Sequence, residues 1–147
     1  MMNQKTLYTI GILSILIAFS FANSSCKKDE KSSSISQVPV DFYLYLNEPS
    51  NVALNAIGGW MYVNAGTKGV LIYRQSTTGF TALERNCPYD PNEDCSLIEV
   101  YSGISAIDSC CKSQFSIYDG SIINGPAAQS LYRYNSVLNG NVLHVYD

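Results

Sequence analysis

The feature that most constrains this chain is a series of short apolar runs, each interrupted before it could complete a helix. "VDFYLYL" (Val40 to Leu46) alternates apolar and polar positions and is rich in aromatics. "GWMYVNAG", "KGVLIYRQ", "FTALERN", "SLIEVYS", "QFSIYDGSII" and "LYRYNSVLNGNVLHVYD" continue the series. Turn signals punctuate it at Gly66-Thr67-Lys68-Gly69, Thr78-Gly79, Asp119-Gly120 and Asn139-Gly140. The last two are the Asp-Gly and Asn-Gly dipeptides that favour type I′ hairpins, which need positive φ. Beyond the N-terminal region no segment keeps apolar residues at 3.6 spacing for three turns. The pattern predicts an all-β domain, a small antiparallel sandwich or barrel of short strands and hairpins. Eleven tyrosines suit the half-buried faces of such strands.

The N-terminus reads as an address and not as fold. Lys5 supplies a positive start, and Leu7 to Ala22 is an uncharged apolar run. Sixteen residues is short of the about 20 that span a bilayer as a helix. Small residues Ser24 and Ser25 then precede Cys26, as in a secretory signal. The arrangement resembles a bacterial lipoprotein signal, and "SSCKKDEKSSS" is similar to lipoproteins of the Bacteroidetes, although Asn23 stands where the usual Leu would be. That resemblance implies cleavage after residue 25 and lipidation of Cys26. It places the protein in the bacterial cell envelope, anchored to the membrane through its N-terminal lipid and facing the periplasm or the outside. Residues 26–37 are charged and Ser-rich and read as a flexible tether. Residues 38–147 form the β domain, large enough for one core. Cleavage removes Lys5, leaving eight Lys and Arg against twelve Asp and Glu. With no basic run past the tether, nucleic acid is not an expected partner.

Cys87, Cys95, Cys110 and Cys111 remain, in two loops separated by the strand around Leu97 to Tyr101. Such clustering suits either a metal site or disulfides. Four cysteines can hold zinc or a [2Fe–2S] cluster, but the spacing here is Cys-x₇-Cys plus a vicinal pair, not the usual Cys-x₂₋₄-Cys knuckles. Vicinal cysteines have Cα atoms ~3.8 Å apart, below the ~4.4 Å lower limit for a bridge. Cys110 and Cys111 should therefore pair separately with Cys87 and Cys95, which leaves two pairings open.

"RNCPYD", followed by "DSCCKSQFSIYDGSIINGPA", resembles the two cluster-binding loops of the Rieske iron–sulfur domain. Phe115, Gly120 and Gly125-Pro126-Ala127 fall where that family has its Phe, Gly and Gly-Pro-Ala. The resemblance implies a Rieske-like β domain with two Cys-bearing loops. It sets Cys87 at the first Cys ligand, Tyr89 at the first His, Asp108 at the second Cys and Cys111 at the second His. A Rieske cluster needs two thiolates and two imidazoles. The chain has one histidine, His144, in its final strand. The cluster positions are degenerate, and no cofactor is expected. The same register implies bridges Cys87–Cys111 and Cys95–Cys110, the crossed pairing being the alternative.

No other catalytic motif appears. The expectation is a lipid-anchored, non-enzymatic structural or interaction module with an envelope protein as partner. The alternative is a redox protein: an electron carrier with a [2Fe–2S] or other Cys-ligated metal on Cys87, Cys95, Cys110 and Cys111, or a dithiol/disulfide exchanger.

Overall fold

The structure is a computed structural model and describes residues 38–147. Cys26, the signal and the tether lie outside the described residues. Strands run β1 (Asp41–Tyr45), β2 (Trp60–Val63), β3 (Val70–Arg74), β4 (Phe80–Glu84), β5 (Ile98–Ser102), β6 (Ser105–Asp108), β7 (Gln114–Ser116), β8 (Ile122–Asn124), β9 (Arg133–Asn139) and β10 (Val142–Tyr146). A short 3₁₀ helix, Pro49–Asn55, follows β1, with Pro49 at its start, where a missing N–H costs least. The fold is all-β, as the alternation predicts. Two short elements were not legible in the sequence: this helix, and β6, whose four residues carry too little periodicity.

The strands form two antiparallel sheets. One is six-stranded in the order β1-β10-β9-β4-β3-β2, and the other is four-stranded in the order β5-β6-β7-β8. Phe42 and Leu44 of β1 and Met61 and Val63 of β2 pack on the same cluster, around Val70, Ile72, Ala82 and Leu143. Because both edge strands of the larger sheet reach one core, that sheet curls. Leu71 and Leu83 point the other way, to a second core with Ile98, Ala106, Phe115 and Leu131. Strands β3 and β4 are thus buried on both faces, which is why "VLIY" reads as a continuous apolar run and not as an alternation.

Both expected turn glycines have positive φ, +81° at Gly120 and +60° at Gly140. The turn type differs from the type I′ expectation. Asn139 pairs with Val142, so Gly140 and Asn141 are the central residues, and only the first has positive φ. That is the mark of type II′, which needs glycine at one position only. The Asp119-Gly120 turn is a longer loop in which the Gly120 N–H donates to the Ser116 carbonyl (2.8 Å). Asp119 fixes it from its side chain, accepting from the N–H and hydroxyl of Ser121.

Candidate functional site: two loops on one buried thiol pair

The first loop leaves the end of β4. Asn86 bridges to Leu97, and the Ile98 N–H donates to the Arg85 carbonyl (2.8 Å), so residues 87–96 are pinched at their base. The Arg85 guanidinium strengthens the pinch, donating to the Ile98 carbonyl (2.9 Å) while lying over the Tyr62 ring. Cys87 follows at once and is fully buried. The second loop joins β6 to β7 and winds around Asp108. One oxygen of that carboxylate, Oδ1, accepts from the N–H groups of Cys110 (2.8 Å) and Cys111 (2.6 Å). Lys112 takes the positive φ that closes the turn (+63°).

Ser113 ties the second loop to the Gly-Pro-Ala segment. Its hydroxyl accepts from the Ala127 N–H (3.0 Å) and from the Cys111 thiol (3.0 Å). The outcome is a small pocket in which Cys87, Asp108 and Cys111 present ligand atoms within 4.8 Å of one another.

The four cysteines divide. Cys95 and Cys110 form a disulfide that ties the two loops together, and the Ser109 hydroxyl donates to the Cys95 carbonyl beside it (2.7 Å). Cys87 and Cys111 are free thiols with their sulfurs 3.7 Å apart. This corrects the expected Cys87–Cys111 bridge: a covalent S–S is ~2.05 Å, and here the Cys111 thiol is directed to Ser113 instead. It also corrects the four-Cys metal set, because Cys95 and Cys110 are committed to each other. The disulfide closes a loop of 15 residues. Replacing both Cys95 and Cys110 with serine should therefore lower the unfolding free energy by about 3 kcal/mol in the chain-entropy model, measured by denaturant titration.

Burial pushes the Cys87 thiol up to about 12, with the charges of Asp108 and Cys111 adding to the effect and the Tyr89 N–H opposing it. Tyr89 itself is 46% exposed and contributes no side-chain hydrogen bond to the pocket among the described residues. His144 lies on β10 of the larger sheet, its Nε2 2.7 Å from Asp41 Oδ1, stacked between Tyr43 and Tyr146. Two of the four Rieske-register positions therefore carry thiols, one a carboxylate and one an outward phenol. This donor set does not fit a [2Fe–2S] cluster of the Rieske kind, which needs two thiolates and two imidazoles.

Sequence reasoning missed two residues that build the site. Ser113 gave no signal, because serine is unremarkable in a loop. Glu84 did give one: a carboxylate ending a strand, FTALE, that is otherwise apolar but for Thr81. It is fully buried and accepts from the N–H groups of Thr67 (2.8 Å), Lys68 (3.0 Å) and Asn86 (3.0 Å) and from the Tyr134 hydroxyl (2.8 Å). Burial, then the hydrogen bond to Glu84, holds the Tyr134 hydroxyl well above the ordinary phenol range.

No family model and no curated protein matches the chain. Solved structures do. The Escherichia coli protein NirD is 16% identical, with a TM-score of 0.46 over 76% of this chain and 97% of that one. A Mycobacterium tuberculosis protein assigned as an NADH-dependent nitrite reductase small subunit is 16% identical, with a TM-score of 0.45 over 75% of this chain and 96% of that one. The likeness carries no argument about activity.

Proposed function

We propose that this protein is a lipid-anchored component of a bacterial cell envelope, attached through Cys26, whose β domain is a Rieske-like scaffold without the Rieske cluster. It serves as a non-enzymatic structural or interaction module for an envelope protein partner. The observation that supports this reading is the donor set where the two loops meet: Cys87, Asp108 and Cys111, with Tyr89 turned outward and the chain's one imidazole engaged with Asp41. The disulfide from Cys95 to Cys110 supports it further, since a cross-link between the loops supplies the rigidity a cluster would otherwise give.

The redox alternative is disfavoured by the same pocket. Thiol exchange needs a thiolate, and Cys87 is buried with its proton held up to about 12. Two measurements test the proposal. Protein from a secretion-competent host should show no visible absorption and no acid-labile sulfide, and stoichiometric iron with sulfide would overturn the loss of the cluster. Cys26→Ala should leave the precursor unprocessed or release the protein from the detergent-extracted membrane fraction. Normal processing and retention would overturn the anchor.

A further inference from the structure

The pocket between the loops holds an unsolved problem of charge. Asp108 is fully buried, and while Oδ1 takes two backbone N–H groups, Oδ2 is buried with no hydrogen-bond partner. A buried polar atom left this way costs roughly 1–3 kcal/mol, more when charged. No cation offsets it: among the described residues the one ion pair is Asp41–His144, and the Lys112 ammonium donates away to the Ser109 carbonyl (2.7 Å). Beside the carboxylate stand two free thiols, one fully buried and one half-buried.

We infer that Cys87 Sγ, Cys111 Sγ and an Asp108 carboxylate oxygen form a three-ligand site for a thiophilic divalent cation, zinc in the first instance, with the fourth position open to water. The site goes beyond the scaffold reading above and differs from a Rieske centre in metal, nuclearity and ligands. For the sulfur pair the geometry needs little movement. A tetrahedral centre with Zn–S bonds of ~2.3 Å sets its two sulfurs about 3.8 Å apart, and here they are 3.7 Å apart.

The surroundings match what metal ligands require. The N–H groups of Cys110 and Cys111 clamp Oδ1 and so fix the carboxylate, as outer partners do at metal sites. The Ser113 N–H already donates to the Cys111 sulfur (3.4 Å), and its hydroxyl can turn to donate as well once that sulfur is a thiolate. Half-buried Cys111 gives a route in from solvent. Two thiolates and a carboxylate carry three negative charges, which a divalent ion reduces to one. Binding displaces the protons of both thiols to solvent, two per ion.

The test uses the full chain, purified in detergent in oxygen-free buffer without reductant, so that the Cys95–Cys110 disulfide stays closed, and stripped of metal. Dialysis against Zn²⁺ should load one ion per chain with release of two protons, and Co²⁺ in its place should give a thiolate-to-cobalt charge-transfer band. Cys87→Ser and Cys111→Ser should abolish both signals. Asp108→Asn keeps an oxygen for the two N–H groups, so the loop should fold as before by circular dichroism. Affinity should still fall by at least the about 10–100-fold that loss of an outer partner alone costs. Zinc bound equally by wild type and Asp108→Asn, or retained by the cysteine variants, would overturn the site. So would a Cys87–Cys111 disulfide mapped in protein isolated from the envelope, since it would consume two ligands. Iron and sulfide would defeat the scaffold reading as well, whereas failure to load zinc would defeat this inference alone.

Discussion

Glu84→Ala should destabilise the domain by about 4 kcal/mol or more, lowering Tm by on the order of 15 °C. The side chain is a four-way acceptor with no exposure to water. It holds the Gly66–Lys68 turn through Thr67 and Lys68, the base of the first loop through Asn86, and strand β9 through Tyr134. Its removal leaves three backbone N–H groups and a hydroxyl without an acceptor, each costing roughly 1–3 kcal/mol unless water enters. Gly66 packs directly on the carboxylate: a Cβ there would lie 2.4 Å from Glu84 Oε2. Tyr134→Phe is the informative companion. It deletes one donor and leaves the other three satisfied, so it should cost only about 1 kcal/mol. Equal losses in the two variants, by thermal melting or denaturant titration, would show that Glu84 matters for the tyrosine alone.

Gly125→Val should cost about 3 kcal/mol or more and should also open the thiol pocket. The residue sits at φ +112°, where side chains are rarely tolerated and strain runs to roughly 1–3 kcal/mol. Space is tighter still. An added Cβ would lie 2.5 Å from the Ser113 Cα, a backbone atom that cannot rotate aside. Relief requires the Gly-Pro-Ala segment to move off the second loop, breaking the hydrogen bond from the Ala127 N–H to Ser113. Ser113 also holds the Cys111 thiol, so alkylation of Cys111 in the folded protein should quicken in the variant. Gly103→Val is the control, because nothing lies within 4 Å of a Cβ there and φ is not positive. A Gly125→Val protein as stable as that control, with unchanged thiol reactivity, would remove the argument.

These two positions show why the candidate site was only partly legible. Gly125-Pro126-Ala127 stood out as a motif, but the sequence did not say what the glycine approaches. Cys87 and Cys111 were expected to face one small space, and their sulfurs do. Their bridge was expected as well, whereas the two are free thiols 3.7 Å apart, with the Cys111 thiol also hydrogen-bonded to Ser113. Asp108 was placed at a ligand position, yet its orphaned oxygen depends on which N–H groups the loop happens to supply.

What the sequence determined by itself is what rests on local physics or on simple counting. Alternation with a period of two, Gly-bearing turns and the absence of helical spacing settled the all-β class. The covalent distance between Cys110 and Cys111 excluded a bridge between them. A single histidine excluded a pair of imidazoles in any fold. What the tertiary structure alone decided is what depends on packing between residues far apart in the chain. The pairing of Cys95 with Cys110 and the convergence of two thiols with a half-satisfied carboxylate join loops leaving different sheets. The clasp of Glu84 ties β4 to the β2–β3 turn and to β9 within the larger sheet. Strand propensity carries no information about such meetings, because they are set by how the two sheets bury their shared core.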